Sequence, residues 1–146
     1  MKIRLATAND AKDIARVERN RGWPNGIRFD PFERTIKLFK ERGAYVFVAE
    51  KNKRIVGYRA FIKSGKNANP GYLSIEKKFQ DEGIGSALLA YSIKYASKIG
   101  CKKMTIYVNN NNFRAINIYN KMEFNVVQII KRKGKLKLRM EKALWK

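Results

Sequence analysis

The sequence predicts an α/β (α+β) domain, with elements in the order β-α-α-β-β-β-α-β-α-β-β over residues 1–146. Three observations carry that prediction. Short runs alternate apolar and polar residues, as at Met104, Ile106 and Val108, which is the period of a half-buried strand. Other stretches repeat apolar residues at helical spacing and start at a capping residue, as at Asp30 and Asn112. Between these kinds of run, residues 73–89 read as a strand, a turn at Gly83 and Gly85, and a helix. A chain of 146 residues suits one domain with its own core, and no composition break, repeat or low-complexity tract divides it.

The elements follow in order. Residues 1–6 form a short strand with Ile3 and Leu5 on one face. Thr7-Ala8-Asn9-Asp10 resembles a capping box with Asp at its end, and Ala11, Ile14 and Val17 continue as a helical stripe. Residues 20–29 are a loop punctuated by Gly22, Pro24 and Gly26. Asp30 caps a second helix, with Pro31 at its first position and Phe32, Ile36 and Phe39 as one face, and Gly43 ends it. Residues 44–50 and 54–62 are β-rich and read as a hairpin about Lys51-Asn52-Lys53. Residues 64–71 read as a polar loop. The organising strand follows, with Leu73 and Ile75 alternating. The next helix presents Leu88, Leu89, Ile93, Ala96 and Ile99 and stops at Gly100. Residues 103–108 are a strand, and Asn112 caps a helix that reaches Met122. Residues 125–133 and 135–141 close the chain as a hairpin about Gly134, with Leu136, Leu138 and Met140 on one face.

The turn at Gly83 and Gly85 has a chemical consequence. The first amides of a helix lack internal partners and carry the positive end of its dipole, so they suit a phosphate. Gln80-x-x-Gly83-x-Gly85 fits neither a dinucleotide fingerprint nor a Walker loop. It resembles the pyrophosphate loop of the GNAT superfamily, the acetyl-CoA-dependent N-acetyltransferases. The opening Met-Lys-Ile-Arg-Leu-Ala-Thr-Ala-Asn-Asp is similar to the start of many such domains. Val108-x-x-x-Asn112-x-x-Ala115-x-x-x-Tyr119, followed by Phe124, resembles the second signature of the family and of its ribosomal-protein N-terminal acetyltransferases, with Glu123 in place of the usual glycine.

The resemblance implies a GNAT fold: a mixed, mostly antiparallel sheet flanked by helices, whose fourth and fifth strands splay apart around CoA. It implies that the backbone of Leu73, Ser74 and Ile75 pairs with pantetheine. Gln80 belongs to the scaffold of the loop, and Asp81, Glu82, Gly83, Ile84, Gly85 and Ser86 offer amides to the pyrophosphate. The side chains of Asp81 and Glu82 then point to solvent. Asn112 contacts the cofactor or water beside it while also capping a helix. Tyr119 is the residue the family uses to protonate the departing thiolate; periodicity alone would make it core. Trp23, Phe29 and Phe32 belong to the wall of the acceptor site or to the core. No base is legible: the fifth-strand position that carries Glu in ribosomal-protein acetyltransferases is Tyr107. Glu18, Asp30, Glu33 and a water chain stay open as alternatives.

Composition bounds the rest. Lys and Arg number 33 against 12 Asp and Glu, a net charge of +21, which attracts an acidic or nucleic-acid-associated partner. The stretch 131–146 carries eight Lys and Arg against Glu141 alone. A basic nucleic-acid-binding module and a non-catalytic CoA-binding domain are therefore the rival readings, and a repulsive surface disfavours free polyamines as acceptors. The absence of histidine excludes histidine triads, bases and metal ligands, and no metal is expected. Cys101, the single cysteine, excludes an intrachain disulfide. With no signal-like or membrane-spanning run, the expected location is cytoplasmic.

Overall fold

A computed structural model describes residues 1–144. Trp145 and Lys146, the end of the basic tail, lie outside the described residues. The strands are β1 (Lys2–Leu5), β2 (Ala44–Lys51), β3 (Arg54–Ser64), β4 (Asn67–Ile75), β5 (Lys103–Asn109), β6 (Asn125–Arg132) and β7 (Lys135–Ala143). The helices are α1 (Ala11–Arg19), α2 (Pro31–Lys40), α3 (Ile84–Lys98) and α4 (Phe113–Lys121). This is the predicted order. The strands form one seven-stranded sheet in the order β1-β2-β3-β4-β5-β7-β6. Neighbours run antiparallel except β4 and β5, which are parallel.

Strand alternation divides the apolar residues between two faces. Phe47, Ala49, Phe61, Met104, Ile106, Val108 and Met140 meet Leu88 and Leu89 of α3 on one face. Ala115, Ile116 and Tyr119 of α4 pack against the same core. Val46, Val48, Tyr58 and Ala60 point the other way and meet Ile14 and Val17 of α1 and Leu38 of α2.

The caps place the helices. The Asp30 carboxylate accepts the amides of Phe32 and Glu33 at 3.0 and 3.3 Å. Asn112 Oδ1 accepts the Ala115 amide at 3.2 Å. Asp10 Oδ2 accepts the Thr7 amide at 2.9 Å, and this half of the capping box opens a 3-10 turn that leads into α1. The β2–β3 and β6–β7 hairpins lie where the sequence puts them, with positive φ at Asn52 and Lys53 and at Lys133 and Gly134.

Three local expectations are corrected. Residues 64–71 are not a loop: β3 runs to Ser64, β4 starts at Asn67, and Gly65 and Lys66 alone turn between them. The ladder needs only backbone groups, so a polar segment completes it. The buried face of α2 is Pro31, Thr35 and Leu38, while Phe32 is 38% exposed. Thr35 tolerates burial because its hydroxyl donates to the Pro31 carbonyl at 2.7 Å. Leu5 ends its strand exposed instead of sharing the burial of Ile3.

Candidate functional site

The sheet opens between β4 and β5. The two strands pair only at Asn67–Lys103 and Ala68–Met104. Further along, β4 bulges: Phe61 faces Pro70 and Arg59 faces Leu73, so β4 spends three steps where β3 spends two. A bulge bends its strand and strengthens its twist. Gly71 permits the bend, since a Cβ there would lie 2.4 Å from the Ala60 carbonyl oxygen. Pro70, which has no amide to donate, costs the ladder little beside a gap.

The gap is a throat of about 170 Å³ lined by Arg59, Leu73, Ile106, Tyr107 and Tyr119, among others. Ile106 comes from the core face of β5 and Tyr107, 46% exposed, from the other, so the throat passes between the two faces of the sheet. The Tyr119 ring packs 5.9 Å from Phe124. It is partly buried: it contacts the core and also lines the gap.

On the α3 side the gap leads to a groove of about 340 Å³. Leu73, Ile75, Gln80, Asp81, Gly83, Ile84, Gly85, Ser86 and Asn112 all line it. Gly83 caps α3 at φ 82, in the left-handed region where glycine avoids strain. The first helical bond joins the Ala87 amide to the Gly83 carbonyl at 3.1 Å. The amides of Ile84, Gly85 and Ser86 therefore have no partner within the helix. A Cβ on Gly83 or Gly85 would meet nothing within 4 Å, so the space before these amides is open. Unpaired amides, the positive end of a 15-residue helix and open space together fit a pyrophosphate.

Gln80 braces the turn, its Nε2 donating to the carbonyls of Arg21 and Ile75, each at 2.9 Å. Glu82 leaves the groove to pair with Lys51 at 2.8 Å, and Asp81 pairs with Arg114. Ser74 does not line the groove, unlike Leu73 and Ile75 on either side of it. Its buried side chain points to the α1 face, where the hydroxyl donates to Glu18 at 3.1 Å.

The candidate bases are dispersed. Glu18 is 2% exposed and also accepts the Tyr58 hydroxyl at 2.5 Å. Burial and the Glu18 charge push the Tyr58 phenol up, so it stays a donor. Asp30 and Glu33 line a separate cavity of about 520 Å³ with Phe29, Arg34 and Tyr72, and Tyr72 also lines the throat. Trp23 stands edge-on to Phe29 at 5.6 Å, behind that cavity. On the opposite bank Tyr107 joins the throat to a groove of about 480 Å³ edged by Arg132, Lys135 and Lys137. The mouth thus has one bank with carboxylates and one basic bank.

Two residues escaped the sequence reading. Arg114, in the first turn of α4, reaches the groove beside the glycine turn. Arg59 is 7% exposed at the throat. Its signal was present: a lone charge within Ile55-Val56-Gly57-Tyr58-Arg59-Ala60-Phe61 interrupts a buried strand. Among the described residues no cluster of carboxylates or cysteine could hold a metal, and no helix is long and apolar enough to cross a membrane.

Comparison with known proteins bears on this geometry. The profile of the Acetyltransferase (GNAT) family matches residues 9–124. An acetyltransferase of Pectobacterium atrosepticum is 32% identical over 83 residues, which span 57% of this chain and 59% of that protein. An N-alpha-acetyltransferase of Sulfolobus acidocaldarius is 25% identical over 145 residues, covering 88% of this chain and 82% of that one. The ribosomal-protein-S18-alanine N-acetyltransferase of Escherichia coli superposes with a TM-score of 0.83 at 17% identity, over 98% of this chain and 93% of that one. An aminoglycoside 6'-N-acetyltransferase complexed with coenzyme A gives 0.83 at 15% identity, over 100% and 98%. At such identities the likeness to the two structures is one of fold.

Proposed function

The chain belongs to the GNAT acetyltransferase family, and from that premise we propose that it moves an acetyl group from acetyl-CoA to a primary amine by direct attack. The observation that carries the reading is one continuous path. It runs from the unpaired amides of Ile84, Gly85 and Ser86, along the free edge of β4, to Tyr119 in the throat. Pantetheine amides pair with the β4 backbone at Leu73, Ser74 and Ile75 as an added strand. The thioester then lies in the throat. The amine enters from the mouth between Tyr72 and Tyr107, the C–S bond breaks, and the Tyr119 hydroxyl gives its proton to sulfur.

The acceptor follows from what the throat lacks. Among the described residues no carboxylate lines it, and the one charged residue that does is a cation. An amine that is already neutral reacts there without a strong base. α-Amino groups, with pKa about 8, meet that condition better than lysines at about 10.4. We therefore place protein N-termini first among acceptors, ahead of lysines and small polyamines. The basic bank at Arg132, Lys135 and Lys137 favours an acceptor with negative charge near its amine, such as an acidic or nucleic-acid-associated protein. Thiol release from acetyl-CoA, measured with N-terminal peptides, lysine peptides, polyamines and aminoglycosides, tests both statements. Release with none of these amines overturns the transfer, and faster release with lysine peptides overturns the order.

A further inference from the structure

Arg59 has no evident structural task. It projects from β3 into the gap, 7% exposed. Its Nε has no hydrogen-bond partner among the described residues. The Tyr119 hydroxyl lies beside the guanidinium in the same throat, and among the described residues no carboxylate offsets the charge. Burial pulls the arginine below its ordinary value, and the neighbouring Tyr119 opposes that pull. The group nevertheless stays a cation, because guanidinium does not lose its proton in proteins. Among the described residues, Tyr72, Tyr107 and Tyr119 are the titratable groups that share the throat with it, and Arg59 is the sole charge lining it. A buried cation without a counter-ion destabilises a fold, and an apolar residue of similar volume is often neutral or better. Such a group persists where negative charge arrives during function.

We propose that Arg59 is a positioning residue of the transfer: its guanidinium holds the Tyr119 oxygen, aims the phenolic proton at the thioester sulfur and stabilises the charge left behind. The inference rests on the acetyl-transfer reading above. In the step, the amine nitrogen bonds to the acetyl carbon and the C–S electron pair goes to sulfur. Sulfur takes the Tyr119 proton, and the proton shed by the nitrogen restores the phenol through water. The product is amide plus thiol, with no net proton change for a neutral amine. Throughout, the cation faces the oxygen that becomes negative, which is preorganised electrostatic stabilisation.

The test uses the full chain with Arg59→Met, Arg59→Lys, Tyr119→Phe and the double variant Arg59→Met/Tyr119→Phe. The acceptor is the best amine of the panel. Arg59→Met should lower kcat about 10²-fold while the KM for acetyl-CoA stays within a few-fold. Its melting temperature should hold or rise, because an unpaired charge leaves the interior. Arg59→Lys should recover part of kcat by restoring a cation. In the Tyr119→Phe background, Arg59→Met should add little, since both changes remove one function. Multiplicative losses in the double variant overturn the proposal. So does a melting temperature that falls in Arg59→Met, which would give Arg59 a structural task and can be read without any acceptor. Full turnover of Tyr119→Phe instead overturns the acid role of Tyr119 and leaves the CoA groove untouched.

Discussion

Gly85→Asp separates the phosphate site from the fold. Gly85 is the second residue of α3, and a Cβ there meets nothing within 4 Å. Its φ is not in the left-handed region, so a side chain brings no backbone strain. Aspartate is a slightly better helix former than glycine, and an acid in the first turn of a helix gains about 0.3–1 kcal/mol from the dipole. The variant should therefore melt no lower than wild type. Binding should fail for the same geometric reason: the carboxylate occupies the open space before the amides of Ile84, Gly85 and Ser86. Each charge-assisted bond lost is worth about 1.5–3 kcal/mol. Two such bonds give about 3–6 kcal/mol, or roughly 10²–10⁴ in Kd. Calorimetric titration with CoA, beside thermal melts followed by circular dichroism, measures both quantities. Gly85→Ala is the control, adding the Cβ without the charge, and should keep most of the affinity. A folded Gly85→Asp variant with wild-type affinity would show that pyrophosphate does not sit at this turn.

Tyr119→Phe keeps the ring packed on Phe124; turnover at saturating acetyl-CoA should fall about 10²–10⁴-fold with CoA binding and melting temperature preserved. Glu123 sits at φ 68, one residue beyond the Met122 cap of α4, a strained conformation for a side chain; Glu123→Gly should relieve about 1 kcal/mol and raise the melting temperature by about 3 °C, and a lower value would mean that glycine loosens the unfolded chain more than it relaxes the folded one. With no carboxylate in the throat to titrate, the rise of rate with pH should follow the acceptor, with a midpoint near 8 for an α-amine and near 10 for a lysine. One common midpoint near 4–5 would require a carboxylate base.

Legibility divided along local and long-range lines. Asp30, Asn112, Gly83 and Gly100 could be placed because capping and left-handed turns depend on a few neighbouring residues. Met104, Ile106 and Val108 are all buried as their alternation predicts. The segment from Asn67 to Gly71 was opaque because its asparagines, proline and glycine carry no apolar period. Its strand identity comes from pairing with β3, including a bulge that only the partner strand defines. Within α2, Thr35 took a buried place that composition assigns to phenylalanine, because its hydroxyl closes on its own helix. The site followed the same division. The glycine turn lies within one contiguous stretch, whereas Arg59, Leu73, Tyr107 and Tyr119 share a throat only after β3, β4, β5 and α4 have assembled.

Glu18 shows why an acid near a site is not thereby a base. It lies on α1, opposite β4, and its carboxylate accepts hydrogen bonds from Tyr58 on β3 and Ser74 on β4. Tyr58 and Ser74 are register partners, so Glu18 clamps the β3–β4 ladder from behind. One residue away in each strand, Arg59 and Leu73 are also paired, and they line the throat. The same ladder therefore presents a hydrogen-bonded carboxylate to one face and a guanidinium with an unpaired Nε to the other. The carboxylate, held by a hydroxyl from each strand, fixes where β4 runs; removing it should shift the free edge proposed to meet pantetheine. The cation, whose Nε has no partner among the described residues, is the group proposed above to steady the Tyr119 oxygen. On the proposed reading, acid chemistry belongs to the Tyr119 side of the sheet and proton removal to the open mouth at Tyr107, because Tyr119 and Tyr107 both line the throat while Glu18 is turned to the other face.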